Sequence, residues 1–204
     1  MTAPAETIID LLRHGEVINK GRYCGSSDVS LTPLGREQMV QAMGTAPFWN
    51  VVISSPLIRC AEIAQNFSLQ CDCPLEVDAA LQEIHLGTWE GRSFSEVFEQ
   101  EREQVEKFWR DPVNNTPPEG EPLHAFHDRV MVAFHHHIKR HTGQRVLMIT
   151  HGGVIRLILG QVLNMPLEAL LKLEVPYAAL SRVRVCHEKD GSQSWSLVFH
   201  AGQL

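Results

Sequence analysis

Two apolar runs in this chain end in histidine and glycine. Ile8-Ile9-Asp10-Leu11-Leu12 leads into Arg13-His14-Gly15-Glu16, and Val146-Leu147-Met148-Ile149-Thr150 leads into His151-Gly152-Gly153. Runs of this length and composition read as buried strands. In an open α/β sheet, ligands collect beyond the carboxyl ends of the strands. The two spellings therefore put an arginine and two imidazoles where chemistry is usual, and Gly15 lets the backbone turn sharply and approach a ligand. A third run, Val51 to Ser54, leads into Ser55-Pro56-Leu57-Ile58-Arg59, which places Arg59 in the first turn of a helix. Glu83 lies in the loop segment from Leu81 to Gly91.

Two arginines, two histidines and one carboxylate at one face suit a phosphoryl group. Guanidinium forks match phosphate oxygens, and helix N-termini add N–H groups and the positive end of a dipole. A histidine among these cations tends to stay neutral, which leaves one ring nitrogen free as a nucleophile. The carboxylate then has a task, protonating the leaving oxygen. Each member alone is ordinary: a strand-end histidine is more often structural, Arg59 alone is a solvated helix residue, and Glu83 is one of many surface carboxylates. The joint occurrence at strand ends carries the reading.

The elements that must position these groups alternate. Strands are expected at Thr7–Leu12, Val51–Ser54, Leu75–Val77 and Arg145–Thr150, with a final pair at Ser181–Cys186 and Ser194–His200 around Lys189-Asp190-Gly191. Helices are expected from Thr32-Pro33 to Met43, from Ser55-Pro56 through Phe67, over Ser93–Trp109 and Leu123–His141, over Gly153–Leu163, and again from Pro166; Asp111–Pro122 reads as a loop. Thr32 followed by Pro33 is an N-cap with proline at the first helical position. This alternation predicts an α/β fold of three α/β/α layers, a mainly parallel central sheet, an antiparallel edge strand and a small helical excursion over the site. One domain over 1–204 is expected, with about 84–125 as the excursion.

Composition narrows the rest. A net charge of −6 with no basic cluster argues against a nucleic-acid partner. The apolar stretches are strand length, too short for a membrane span, and the segment Met1 to Glu6 lacks the features of a signal peptide. A cytoplasmic protein is expected. Five cysteines without regular spacing do not form a disulfide framework, and Cys71-Asp72-Cys73 reads as a loop carrying reduced thiols. His135-His136-His137 read as helix-surface histidines, because consecutive helical residues point in different directions, and His141 carries no recognisable spacing.

The residues together are similar to a known family. Arg13-His14-Gly15-Glu16, the Ser-Ser-Pro-Leu-x-Arg segment 54–59, Glu83 with Gly87-Thr88-Trp89-Glu90-Gly91, and Thr150-His151-Gly152-Gly153 resemble the histidine phosphatase, or phosphoglycerate-mutase-like, superfamily in family order, from about Ile8 to Val198. Gly120-Glu121 with Phe126, Arg129 and Val130 resembles its α-ribazole phosphatase branch. The resemblance implies His14 as nucleophile and phosphohistidine, Arg13, Arg59 and His151 as phosphoryl-binding groups, and Glu83 as the acid for the leaving alcohol. It implies no metal and no nucleotide cofactor; the partner is a small-molecule phosphate ester, with a homodimer left open.

The motif departs after Glu16. Val17 stands where the family has threonine, and Asn19 comes one position early in a shortened loop. Asn19, Tyr23 and Gly152 are carried forward as substrate-binding candidates, and Arg22, His85, Glu121, His124 and Tyr177 as further contacts. Trp89 reads as a packing residue. The glutamates of the excursion either form an acidic wall that disfavours polyanionic substrates or simply face solvent. Within the fold the competing reading is a phosphoglycerate mutase; only 67 residues separate Glu83 from His151, which favours a phosphatase. A non-catalytic phosphate-binding module is a third reading, opposed by the presence of both nucleophile and acid.

Overall fold

The computed structural model describes residues 5–44 and 49–202. Residues 1–4, most of the segment read above for a signal peptide, lie outside the described residues. No described helix is long and apolar enough to cross a membrane. The strands are β1 (Ala5–Arg13), β2 (Val51–Ser54), β3 (Leu75–Val77), β4 (Arg145–Thr150), β5 (Leu180–His187) and β6 (Gln193–Gly202). The helices are α1 (Pro33–Met43), α2 (Ile58–Cys71), α3 (Phe94–Arg110), α4 (Leu123–Arg140) and α5 (Gly152–Val162), with short 3₁₀ turns at Ala79–Leu81, Gly87–Trp89 and Leu167–Lys172.

One six-stranded sheet runs in the order β3-β2-β4-β1-β5-β6. β3, β2, β4 and β1 are parallel, and β5 pairs antiparallel with both β1 and β6. Side chains alternate across a strand. Ile9 and Leu11 of β1 therefore enter one core with Met148, Phe126, Phe134 and Ile158 from β4, α4 and α5. Leu12 faces the opposite way, into a second core with Leu147, Ile149, Met39 and Phe67 from β4, α1 and α2. The result is the expected three-layer α/β/α arrangement. Asp10 of β1 is fully buried but matched: Arg182 donates to both its oxygens at 2.7 and 3.0 Å, and Trp49 Nε1 donates at 2.7 Å. A buried carboxylate is tolerable only when paired in this way.

The helix boundaries differ from expectation for local reasons. Thr32 caps α1 as read, its hydroxyl accepting from the Gly35 N–H at 2.9 Å, a contact worth about 1 kcal/mol. α2 begins at Ile58 rather than at Ser55-Pro56: Ser55 still continues the strand pairing through its N–H to Ile149 O, and Leu57 O is the first to accept helical bonds, from Cys60 and Ala61. The exposed N–H of Ile58 is instead met by Asp28 Oδ1 at 2.6 Å. α2 also runs past Phe67 to Cys71 and stops at Asp72 in the left-handed conformation, so Cys71 closes a helix rather than lying in a loop. The segment after Pro166 is a 3₁₀ turn, not an α-helix.

A third cluster sits apart from the sheet. Tyr23, Trp89, Val97, Val105 and Phe108 pack together, with Trp89 edge-on to Phe108 at 5.5 Å and Tyr23 edge-on to Phe94 at 4.8 Å. Backbone bonds join residues 21–23 to 91–94. Trp89 is fully buried and donates to Glu101 Oε2 at 2.8 Å, a packing role as read. α3 departs from helical geometry at Glu101, the residue whose carboxylate is drawn to Trp89 and Arg92.

Candidate active site

Parallel pairing of β2, β4 and β1 brings Ser55, His151 and His14 to neighbouring strand ends. The His14 and His151 ring centroids lie 5.3 Å apart. The turn after β1 is a close backbone contact: a Cβ on Gly15 would lie 2.0 Å from Gly35 O, so only glycine lets the start of α1 sit against it.

His14 is buried, and its Nδ1 lies 2.8 Å from Gly15 O. A carbonyl can only accept, so Nδ1 carries the hydrogen and Nε2 keeps its lone pair. Burial, then Arg59 and Arg13, push the His14 pKa from 6.5 to about 3, against a smaller upward pull from the Gly15 bond. The imidazole is therefore neutral at neutral pH, with the lone pair of Nε2 free.

Arg59, second residue of α2, is fully buried. Its Nη1 and Nη2 donate to Ser27 O and Gly25 O, each at 2.6 Å, and its Nε donates to His151 Nδ1 at 3.2 Å. One hydrogen remains on each terminal nitrogen. His151 must then carry its own hydrogen on Nε2, 2.7 Å from Ser55 Oγ. Burial, then Arg59 and His14, hold its pKa well below the ordinary value. With both ring nitrogens engaged, His151 reaches a phosphoryl oxygen only by exchanging Ser55 for it. Arg13 donates from Nη1 to Val175 O at 2.5 Å and lies 4.4 Å from the centre of the Tyr177 ring. Its Nε is buried without a hydrogen-bond partner among the described residues, an orphan donor that an anionic oxygen would satisfy.

Glu83 reaches the first turn of α5. Its Oε2 accepts from the Gly153 N–H at 2.9 Å and its Oε1 from the Ile84 N–H at 3.1 Å. A Cβ on Gly153 would lie 2.2 Å from Oε1, so this glycine makes room for the carboxylate.

Arg13, His14 and Glu83 line one cleft with Tyr23, Phe94, Phe108, Trp109, Leu123, Phe126 and Tyr177. Arg59 and His151 stand behind it. Arg22 also lines the cleft, its Nη1 tied to Gly91 O at 2.7 Å. Asn19 and Gly152 are not among its lining residues. Asn19 lies in a tight turn whose carbonyl accepts from the Arg22 N–H at 3.2 Å. Gly152 is turned toward the arginines, where a Cβ would lie 3.4 Å from both Arg13 Nε and Arg156 Nη1. His85 instead meets Ser26 Oγ at 2.7 Å, Glu121 pairs with Arg129 at 2.7 Å, and His124 is exposed. Of the two readings of the excursion's glutamates, the solvent-facing one holds: Glu99, Glu103 and Glu106 of α3 are exposed, and the cleft lining holds Arg13, Arg22 and Arg156 against Glu83 alone.

Two functional residues escape a reading of the sequence. Arg156, on the second turn of α5, adds a cation beside Arg13 and is anchored by its Nε on Leu173 O at 2.8 Å. Glu90 organises the loop that holds Arg59. Its carboxylate accepts from the N–H groups of Gly25, Ser26, Ser27 and Leu86 at 2.9–3.2 Å and from the Ser27 hydroxyl. Burial alone would raise its pKa, but the bonds from Ser27, Leu86 and Ser26 outweigh burial and hold it below the usual carboxylate range. Glu90→Gln offers one acceptor oxygen where two stand now and turns an NH₂ toward backbone donors. A displaced Arg59 costs on the order of 10²-fold in kcat/KM; steady-state kinetics beside a thermal melt check this, and unchanged kinetics would refute the positioning role.

The description of the histidine phosphatase superfamily (branch 1) matches residues 9–197. "Probable phosphoglycerate mutase GpmB" of Escherichia coli O1:K1 / APEC is 29% identical over 177 residues, covering 85% of this chain and 82% of its own length. The alpha-ribazole phosphatase of Shigella flexneri superposes with a TM-score of 0.80 at 23% identity, over 96% of each chain. The mycobacterial glucosyl-3-phosphoglycerate phosphatase Rv2419c superposes with a TM-score of 0.80 at 24% identity, over 95% of this chain and 97% of that one. At these identities the two structures share the fold. The chain belongs to the histidine phosphatase superfamily.

Proposed function

We propose that this superfamily member is a phosphomonoesterase acting through a phosphohistidine, needing no metal for the reaction. The observation that carries the reading is the fixed tautomer of His14, whose free Nε2 is flanked by Arg13 and Arg59. In the proposed reaction Nε2 attacks phosphorus, and the bond to the ester oxygen breaks as Glu83 supplies the proton. Arg13 Nε and the two remaining Arg59 hydrogens take the charge of the equatorial oxygens, where electrostatic stabilisation does most of the work. Glu83, now a carboxylate, removes a proton from the attacking water as the P–N bond breaks, releasing phosphate and returning His14 to its starting state.

The cleft beyond the phosphoryl position supports a substrate with a flat apolar body. Phe94 and Trp109 are half exposed into it, with Phe108, Phe126 and Leu123 around them. Such walls reward a heteroaromatic base on a ribose phosphate and offer little to a bare three-carbon acid. α-Ribazole 5′-phosphate is the substrate we favour. Arg156 supports a second reading, in which a carboxylate beside the phosphoryl group marks a phosphoglycerate-type substrate and the chain transfers the group as a mutase. Kinetics on α-ribazole 5′-phosphate, 3-phosphoglycerate, sugar phosphates and an aryl phosphate, in chelator, decide between them. We expect kcat/KM highest on α-ribazole 5′-phosphate with stoichiometric phosphate release. Isomerisation of 3-phosphoglycerate without phosphate release would replace the reading.

A further inference from the structure

At the β3 edge of the sheet, two buried histidines and a carboxylate converge with no part in the phosphoryl chemistry. His137 lies in the last turn of α4 and His141 four residues on, so both share one helix face, and Glu76 faces them from the edge strand β3. None of the three lines the cleft. Their donor atoms all lie within 4.8 Å of one another. This corrects the expectation of a surface histidine at His137, which is only 6% exposed, as His141 is 7%, whereas His135 and His136 are exposed as expected.

The hydrogen-bond partners settle where the lone pairs point. His137 Nε2 lies 2.8 Å from Asp78 Oδ2, a carboxylate, so Nε2 is the donor and Nδ1 is bare in the neutral ring. His141 Nδ1 lies 2.9 Å from Gln144 Oε1, so Nδ1 donates and Nε2 is bare. Those two bare nitrogens are buried without a hydrogen-bond partner among the described residues. They face the two oxygens of Glu76, at 3.7 Å from His137 Nδ1 and 3.4 Å from His141 Nε2. Two orphaned acceptors beside a carboxylate repel one another unless a proton or a metal cation lies between them. Arg140 approaches Glu76 Oε1 at 3.2 Å from the exposed side and reaches neither imidazole nitrogen in any hydrogen bond or ion pair.

We propose that Glu76, His137 and His141 form a binding site for a borderline first-row divalent cation of the zinc type. Two imidazoles and one carboxylate suit such an ion and not magnesium or calcium, which take oxygen ligands. The Asp78–His137 bond is the carboxylate–histidine pair that fixes a ligating tautomer, and Gln144 does the same for His141. Ligand bonds of about 2.0–2.2 Å require the three side chains to close slightly on the ion, with solvent completing the tetrahedron. Its task is structural: it clips the carboxyl end of α4 to the edge of the sheet. Through Asp78, which caps the turn Ala79–Leu81, it also braces the chain entering Glu83.

Metal-stripped full-length protein titrated with Co²⁺ should show one equivalent bound with visible d–d bands, displaced by Zn²⁺, and a thermal midpoint that rises with Zn²⁺. Glu76→Gln and His141→Ala should each weaken Co²⁺ binding at least tenfold and flatten the thermal response, while phosphatase turnover shows that both variants are folded. Adding inorganic phosphate, which fills the catalytic cleft, should leave the cobalt spectrum unchanged. The site is refuted if no single equivalent binds, if binding survives both substitutions, or if a thiolate charge-transfer band assigns the metal to cysteine.

Discussion

His14→Ala is expected to lower kcat on any phosphate ester by about 10⁴-fold or more, because it removes the atom that receives the phosphoryl group. Wild-type enzyme quenched during turnover should carry an acid-labile phosphoryl group, and the variant should carry none. A variant that still turns over at the wild-type rate overturns the mechanism. The same variant has a second readout. Folded His14 takes a proton only near pH 3, whereas an unfolded histidine takes one near 6.5. Between those values the unfolded state binds more protons, so stability rises with pH. The contribution of His14 is fully present above about pH 6.5 and is lost as pH falls toward 3, at about 1.4 kcal/mol for each pH unit crossed. Thermal midpoints of His14→Ala should therefore fall less steeply than wild type over that window. Parallel curves would mean that the neutral state of His14 is not what folding enforces.

Glu83→Gln separates proton donation from attack. An alkyl phosphate leaves as a strongly basic alkoxide and needs the proton; an activated aryl phosphate hardly does. The expected loss in kcat/KM, which reports phosphoryl transfer to His14, is about 10²- to 10⁴-fold on the alkyl substrate and far smaller on the aryl one. Gly153→Ala should share this signature, since its methyl group takes the place of Glu83 Oε1. Equal losses on both substrates from Glu83→Gln would remove Glu83 as the acid. In either variant hydrolysis of the phosphoenzyme becomes rate-determining on an aryl phosphate and shows as a burst of the phenol, since the same carboxylate also activates the water.

The strand ends were legible because the chemistry there is spelled contiguously. An apolar run cannot continue through Arg13-His14-Gly15 or His151-Gly152-Gly153, so the polar residues mark the turn and hence the face. What stayed hidden depends on distance. Arg156 sits within an apolar helix, and nothing in its neighbours says that it flanks Arg13. Glu90 is one glutamate among many until Gly25, Ser26 and Ser27 are folded around it. The loop after Glu16 was legible as a departure from the motif, but the packing of Tyr23 with Trp89 and Phe94 beyond it appears only in the fold. The histidine pair was masked by its own sequence: a run of three histidines draws attention to adjacency, whereas the helix joins His137 to His141 and leaves out the two before it.

The sheet order carries a consequence for how the protein is made. β1 closes the parallel set and pairs with β4 and β5, residues 145–150 and 180–187. Arg13 leans on Val175, 162 positions later. The nucleophile thus leaves the ribosome long before the neighbours that enclose it. A nascent chain carries His14 through much of its synthesis as an ordinary exposed imidazole, able to take a proton and unable to hold a phosphate. The surroundings of His14 are complete only once β4 and β5 are paired with β1.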